Sequence, residues 1–153
     1  MGEECRMVMM RLWTIGFTRK AASEFFAKLR DAGVRTILDV RLNNTGQLAG
    51  FAKRDDLRFF AKEILNVEYQ HLPMLAPTQE MLDEYRKERG GWNNYETRFR
   101  ALMKERAIEK HLDPKLVEDG CLLCSEEKPH QCHRRIVAEY LQEAWGSLEI
   151  VHL

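Results

Sequence analysis

Three cysteines, a histidine and an arginine lie close together near the carboxyl end of the sequence. Cys121 and Cys124 are three residues apart, and the triplet Cys132, His133 and Arg134 follows shortly after them. Thiolates and imidazoles act as nucleophiles, bases and metal ligands. This segment is therefore the part of the chain best suited to chemistry.

Three interpretations of the segment are open. Cys121, Cys124, Cys132 and His133 are four potential zinc ligands, although two cysteines three apart in an extended strand point to opposite faces. In a second interpretation, Cys132 at a helix start with basic neighbours, or Cys124 at a strand end, is a nucleophile. Glu126 is then a candidate acid or base. In the third, the cysteines are small core residues.

A second candidate group is formed by Asp39 and Arg41. Asp39 interrupts an apolar run, and a buried carboxylate must be paired, hydrogen-bonded or protonated. Two residues apart on a strand, Asp39 and Arg41 share a face. They form either a structural ion pair or an arginine fork that binds an anion and is oriented by the aspartate. Arg134 and the free amides of the last helix start would add to such an anion site.

The elements that must position these residues alternate along the chain between strand-like and helix-like patterns. The strand-like runs are 12–15, 36–40, 67–71, 120–124 and 148–153, and amphipathic helical segments separate them. This order predicts an α/β fold: a mostly parallel five-stranded sheet with helices on both faces, in a three-layer sandwich. We expect one domain over 10–153, with region 92–115 as a helical insertion, and a short N-terminal extension over 1–9.

Parallel sheets bind ligands at the carboxyl ends of their strands. That edge would gather residues that are scattered in the sequence. The candidate ligand-binding residues at this edge are Thr14, Gly16, Asp39, Arg41, His133 and Arg134.

Composition limits the classes of partner. The 153 residues carry 24 basic and 24 acidic side chains, so the formal net charge is zero and a strongly basic nucleic-acid coat is excluded. The acidic N-terminus is unlike a signal peptide, and no apolar run is long enough to span a bilayer, so we expect a cytoplasmic protein without a membrane partner. The sequence favours a small phosphate-bearing or nucleotide-like anionic ligand at the carboxyl ends of the strands, which a reactive thiol could also modify. The alternatives are a nucleic-acid-binding module and a zinc-stabilised interaction domain. The sequence indicates neither a specific reaction nor an oligomeric state.

The motifs Thr-Ile-Gly at 14–16, Asp-Val-Arg at 39–41, Leu-Leu-Cys-x-Glu at 122–126 and Cys-His-Arg at 132–134 resemble those of the family catalogued as domain of unknown function 488. The resemblance extends over about 10–153. It implies a single cytosolic α/β domain of bacterial or archaeal origin, and no established reaction. Phe17 stands where many members carry histidine. The run Arg-Leu-Asn-Asn at 41–44 resembles a subgroup, which makes Asn43 a candidate ligand-binding residue, although a turn explains asparagines equally well.

Overall fold

One sheet of five strands forms the centre of the protein. The computed structural model describes residues 9–45, 50–87, 91–126 and 131–153. The sheet has the order β3-β2-β4-β1-β5, and every neighbouring pair of strands is parallel. The predicted five-stranded sheet is confirmed, and it is fully parallel. The strands are β1 Met10–Gly16, β2 Thr36–Asp39, β3 Glu68–His71, β4 Gly120–Cys124 and β5 Leu148–His152.

Helices connect the strands as crossovers. None of the helices in the described ranges is both long and apolar enough to cross a lipid bilayer. Short 3₁₀ turns cover Gly50–Ala52 and Pro73–Leu75, and α2 continues into a π-helical turn over Ala61–Leu65. The helices are α1 Ala22–Ala32, α2 Arg54–Phe60, α3 Gln79–Lys87, α4 Trp92–Glu105, α5 Ile108–His111, α6 Pro114–Val117 and α7 His133–Trp145.

Alternate strand residues face opposite layers, as strand geometry requires. Ile37 and Leu123 pack with α1 and α2 in one apolar cluster, whereas Leu38 and Leu122 pack with α4 and α7 in the other. Helices therefore cover both faces, and the predicted three-layer α/β sandwich is confirmed. The region 92–115, predicted as a helical insertion, forms α4, α5 and the start of α6 on the α7 side. Residues 1–8 of the predicted extension lie outside the described residues.

The connections after β2 and β4 leave the sheet in opposite directions. The chain after β2 continues to α2, whose Leu57 packs in the first cluster. The chain after β4 continues to α7, whose Val137 packs in the second. Because β2 and β4 are neighbours, their carboxyl ends separate and leave a crevice, which is where open parallel sheets bind ligands.

Candidate functional site

A cavity of about 340 Å³ lies at the carboxyl ends of β2 and β4. Its walls are the segment after β2, the segment after β4, the start of α7, and side chains of α3 and α4. This cavity, the rim pocket, falls near the lower end of the volume range of small-molecule sites, roughly 300–1,000 Å³. The divergence of the two connections creates it.

The rim pocket brings together residues that are distant in sequence. Residues from the strand ends and from the start of α7 meet there, as the sheet geometry predicted. Their roles toward a ligand remain predictions. Of the candidate residues, the pocket wall includes Arg41, Asn43, Cys124, Glu126, Cys132 and His133, whereas Thr14, Gly16, Asp39 and Arg134 lie outside the wall.

Asp39 and Arg41 form a buried ion pair at the β2 end of the pocket. The exposed fraction is 0% for Asp39 and 4% for Arg41. Arg41 Nε donates to Asp39 Oδ1 and Arg41 Nη2 donates to Oδ2, each at 2.8 Å, and the Arg41 backbone N–H donates to Oδ1 at 3.1 Å. A bidentate pair of this kind fixes the plane of the guanidinium.

One nitrogen of this guanidinium is left over. Arg41 Nη1 is buried and has no hydrogen-bond partner among the described residues. The guanidinium carbon lies 5.3 Å from the centre of the Phe17 ring, within cation–π range. His71 Nε2 donates to the Arg41 carbonyl at 2.8 Å, which holds the backbone. Asp39, Phe17 and His71 therefore hold this pocket-lining arginine, and one of its nitrogens has no partner in the described part of the chain.

Asp39 has further partners behind the arginine. The Tyr69 hydroxyl donates to Asp39 Oδ2, and Asn44 Nδ2 donates to the same oxygen at 3.3 Å. Burial raises the pKa of Asp39, but the hydrogen bonds and charge of Arg41, together with the Tyr69 hydrogen bond, outweigh burial and bring the pKa below its usual value. Burial and the Asp39 contact raise the pKa of Tyr69. Asp39 is therefore held as a carboxylate.

Cys124, Cys132 and His133 form a second cluster in the pocket wall, the thiol–imidazole cluster. His133 Nε2 lies 2.7 Å from the Val40 carbonyl, which can only accept, so Nε2 carries the proton. The Nδ1 lone pair of neutral His133 then faces Cys124 Sγ at 3.7 Å. His133 can accept the Cys124 proton at Nδ1, or both residues can ligate a metal through Nδ1 and Sγ.

The two pocket thiols differ in their ionisation. The hydrogen bond from Cys132 lowers the pKa of Cys124 well below the usual thiol value, against the effect of burial, and His133 acts in the same direction. Burial and the Cys124 contact raise the pKa of Cys132. Burial lowers the pKa of His133, but the charge of Cys124 outweighs it and the pKa rises.

Cys121 does not belong to this cluster. Cys124 and Cys132 pack in the apolar cluster on the α7 side, whereas Cys121 is buried in the cluster on the α1 side. The odd separation of the two cysteines in β4 sends their side chains to opposite faces of the sheet. The four-residue zinc set from the sequence is therefore wrong at Cys121, and the structure assembles the other three.

Thr14, Gly16 and Arg134 support the loop after β4. Arg134, at 0% exposure, donates from Nη1 to the Glu126 carbonyl at 2.6 Å and from Nε to Thr14 Oγ1 at 3.2 Å. A Cβ atom on Gly16 would lie 1.5 Å from that same carbonyl oxygen. The described contacts of these residues therefore position the pocket wall.

Aromatic side chains of α3 and α4 form one wall of the rim pocket. Trp92 and Tyr95 stack with ring centres 5.1 Å apart, and Tyr85 meets the Trp92 ring edge-on at 5.7 Å. Arg86 also lines this side. The wall thus offers a flat apolar surface with a positive charge beside it.

Sequence reasoning missed several of these residues. In the sequence, Phe17 stands out only as the position where many members of the similar family carry histidine, Tyr69 only as part of an alternating strand, and Arg86 only as part of a solvated helix face. A signal was present for Tyr69. Buried and exposed residues alternate along β3, and the neighbouring strand β2 carries a buried acid that needs a hydrogen-bond partner. Nothing in the sequence indicated which residue would lie under Arg41, because cation–π contact depends on strand register.

Comparison with family models gives the family that the sequence resembles. The family described as Domain of unknown function DUF488 matches residues 21–141, which is most of the chain and includes β2, β4 and the larger part of α7. Neither the curated proteins nor the solved structures include a match to the chain. The chain belongs to the DUF488 family.

Proposed function

We propose that the rim pocket binds a small phosphate-bearing, nucleotide-like anion, and that Arg41 Nη1 donates to its phosphate. One observation carries this function: Nη1 is a buried donor without a partner among the described residues, and it belongs to an arginine that lines the pocket. Leaving a buried donor unsatisfied costs about 1–3 kcal/mol. A ligand oxygen would remove that cost, and a planar guanidinium fits phosphate.

The start of α7 supports the same ligand charge. Gln131, Cys132 and His133 line the pocket, and α7 begins at His133. The positive end of the helix dipole favours an anion at this end of α7. A guanidinium and a helix start thus line one cavity.

The aromatic wall supports a ligand with a flat apolar part. Tyr85 of α3 and Trp92 of α4 line the pocket. A base stacked on an aromatic side chain contributes about 1–3 kcal/mol. A phosphate at Arg41 and a base against Trp92 would use both walls.

Binding alone is proposed here, with Arg134 in a positioning role. Arg41, Asn43 and the start of α7 line the pocket that takes the ligand, whereas Thr14, Gly16 and Arg134 hold the loop that carries Glu126. Chemistry on a bound ligand would draw on Cys124 and Glu126, which share the pocket wall. The binding proposal does not depend on such chemistry.

The test is calorimetric titration of inorganic phosphate and of adenosine monophosphate into the wild type and Arg41→Lys. Lysine keeps a cation beside Asp39 but lacks a nitrogen in the position of Nη1. We expect the affinity for both ligands to fall about tenfold or more, because a charge-assisted hydrogen bond contributes about 1.5–3 kcal/mol. The control is Arg30→Lys, an exposed arginine that donates to Asp31 at 3.1 Å. It should bind like wild type.

Two results would contradict the proposal: no binding of either ligand to the wild type, or equal binding by Arg41→Lys. Stronger binding of single-stranded RNA than of the mononucleotide, with steep salt dependence, would favour the nucleic-acid alternative.

A second variant tests the nucleotide part. Trp92→Leu should weaken adenosine monophosphate binding about fivefold or more and leave inorganic phosphate unchanged, because only the nucleotide has a base to stack on Trp92. Phosphate is thus the internal control. Unchanged binding of adenosine monophosphate would place the base elsewhere, and an equal loss for both ligands would show that Trp92 shapes the phosphate site and does not stack on a base.

A further inference from the structure

We infer that Cys124, Cys132 and His133 form a three-residue binding site for zinc in the wall of the rim pocket. The metal would take the two sulfurs and His133 Nδ1, and a ligand entering from the pocket would complete its coordination. Metal binding and anion binding use different side-chain atoms, so the two proposals can fail separately.

The geometry fits a tetrahedral ion. The two Sγ atoms and His133 Nδ1 all lie within 4.8 Å of one another. Zinc bonds of about 2.3 Å to sulfur and 2.0–2.1 Å to nitrogen put a sulfur and a nitrogen ligand about 3.6 Å apart. Cys124 Sγ and His133 Nδ1 are 3.7 Å apart. The pair is already at the spacing that a shared zinc ion requires.

The orientation of His133 fits a metal ligand as well. Its Nε2–H donates to the Val40 carbonyl at 2.7 Å, and metal-bound histidines almost always make such a second contact. That contact fixes the tautomer with the Nδ1 lone pair toward the sulfurs. Phe99 packs its ring against His133 with centres 5.5 Å apart, which limits rotation of the imidazole.

The ligand set selects the metal. Two sulfurs and an imidazole suit zinc and other soft or borderline cations, and disfavour magnesium and calcium, which take oxygen ligands. Two thiolates balance the charge of a divalent ion, so the buried site would be neutral. Zinc sites with three protein ligands and one open position are typically catalytic. Here the open position faces the rim pocket, which Cys124, Cys132 and His133 all line.

Cobalt(II) is the probe, because its spectrum reports the ligands directly. Metal-free, reduced full-length protein is titrated with cobalt and monitored for a thiolate-to-cobalt charge-transfer band in the near ultraviolet and strong tetrahedral bands in the visible. We expect saturation at about one cobalt per chain and displacement of the cobalt by zinc. The same titration is run on Cys124→Ser, Cys132→Ser and His133→Gln.

The matched control is Cys121→Ser, since Cys121 is a buried cysteine of the same strand on the other face of the sheet. It should keep the full spectrum, whereas each cluster variant should lose the saturable signal while retaining its far-ultraviolet circular dichroism. Arg41→Lys should keep the cobalt spectrum even where it loses phosphate, which separates the two proposals.

Several results would overturn the inference. They are the lack of a charge-transfer band in the wild type, an equal loss of the band in Cys121→Ser, and alkylation of Cys124 at the same rate with and without zinc. The last result would identify the cluster as a metal-free thiol pair.

Discussion

The carbonyl oxygen of Glu126 occupies the space beside Gly16 that a side chain would fill. A Cβ atom on Gly16 would lie 1.5 Å from this oxygen and 3.1 Å from Arg134 Nη1. Arg134 Nη1 in turn donates to the carbonyl, and the Thr18 backbone N–H donates to the Ser125 carbonyl at 3.0 Å. The loop after β4 therefore rests directly on the end of β1, and the pocket wall depends on this contact.

Gly16→Ala should destabilise the protein by about 1–3 kcal/mol, because the added methyl group must displace backbone. The free energy of unfolding in urea measures the change. Gly50→Ala is the matched control, since no described atom lies within 4 Å of its Cβ position, and its effect should stay within about 0.5 kcal/mol. Equal effects of the two substitutions would show that the loop does not rest on Gly16.

Arg134→Lys tests the positioning role of the buried arginine. Lysine cannot reach both the Glu126 carbonyl and Thr14 Oγ1, so we expect a loss of about 1.5–3 kcal/mol in unfolding free energy. Arg11→Lys is the control, because Arg11 forms an exposed pair with Glu149 at 3.6 Å and such pairs contribute little. A change in Arg134→Lys as small as in the control would contradict the role.

The ionisation of Asp39 predicts a loss of stability in acid. Its pKa in the folded protein lies below the usual value, because the Arg41 pair and hydrogen bonds outweigh burial. The unfolded chain therefore takes up a proton first as pH falls. The stabilisation from Asp39 is complete well above pH ~4 and is lost as pH falls through the folded-state pKa.

The matched measurement compares urea unfolding of the wild type and Asp39→Asn from neutral to acid pH. Other carboxylates titrate in both proteins, so the difference isolates Asp39. The stability gap between the two should narrow as pH falls below about 4. A gap that is constant with pH would mean that Asp39 has no depressed pKa.

Phe17→Leu tests the ring under Arg41. Cation–π contacts contribute about 0.5–2 kcal/mol, so the substitution should lower phosphate affinity several-fold by loosening the guanidinium. Phe59→Leu is the control, since Phe59 is largely exposed and should leave affinity unchanged. If Phe17→Leu binds phosphate like wild type, the Asp39 pair alone orients Arg41.

Much of the fold could be predicted because it depends on local periodicity. Short apolar runs alternate with amphipathic segments, and this order indicates parallel strands with crossover helices. The parity of residues along a strand also separates Cys121 from Cys124, and it pairs Asp39 with Arg41. The gathering of β2, β4 and α7 residues at one edge followed from the direction of parallel strands.

The detailed contacts could not be predicted because they depend on register and rotamer. Arg41 and Arg134 had the same predicted role, which was to bind an anion. Arg41 follows a strand end, and Arg134 lies at a helix start. In the structure, Arg134 bonds to a backbone carbonyl and Thr14, whereas Arg41 lines the pocket and its Nη1 has no partner among the described residues. Strand parity indicated the Asp39 contact of Arg41, but the sequence pattern did not reveal the contacts of Phe17 and Tyr69.

An anomalous difference map from crystals soaked in tungstate, a heavy analogue of phosphate, tests the anion site most directly. We predict a peak within hydrogen-bond distance of Arg41 Nη1, between that residue and the start of α7, and its disappearance in Arg41→Lys crystals. Peaks that all lie away from Arg41, or an unchanged peak in the variant, would contradict the assignment of the rim pocket as an anion site.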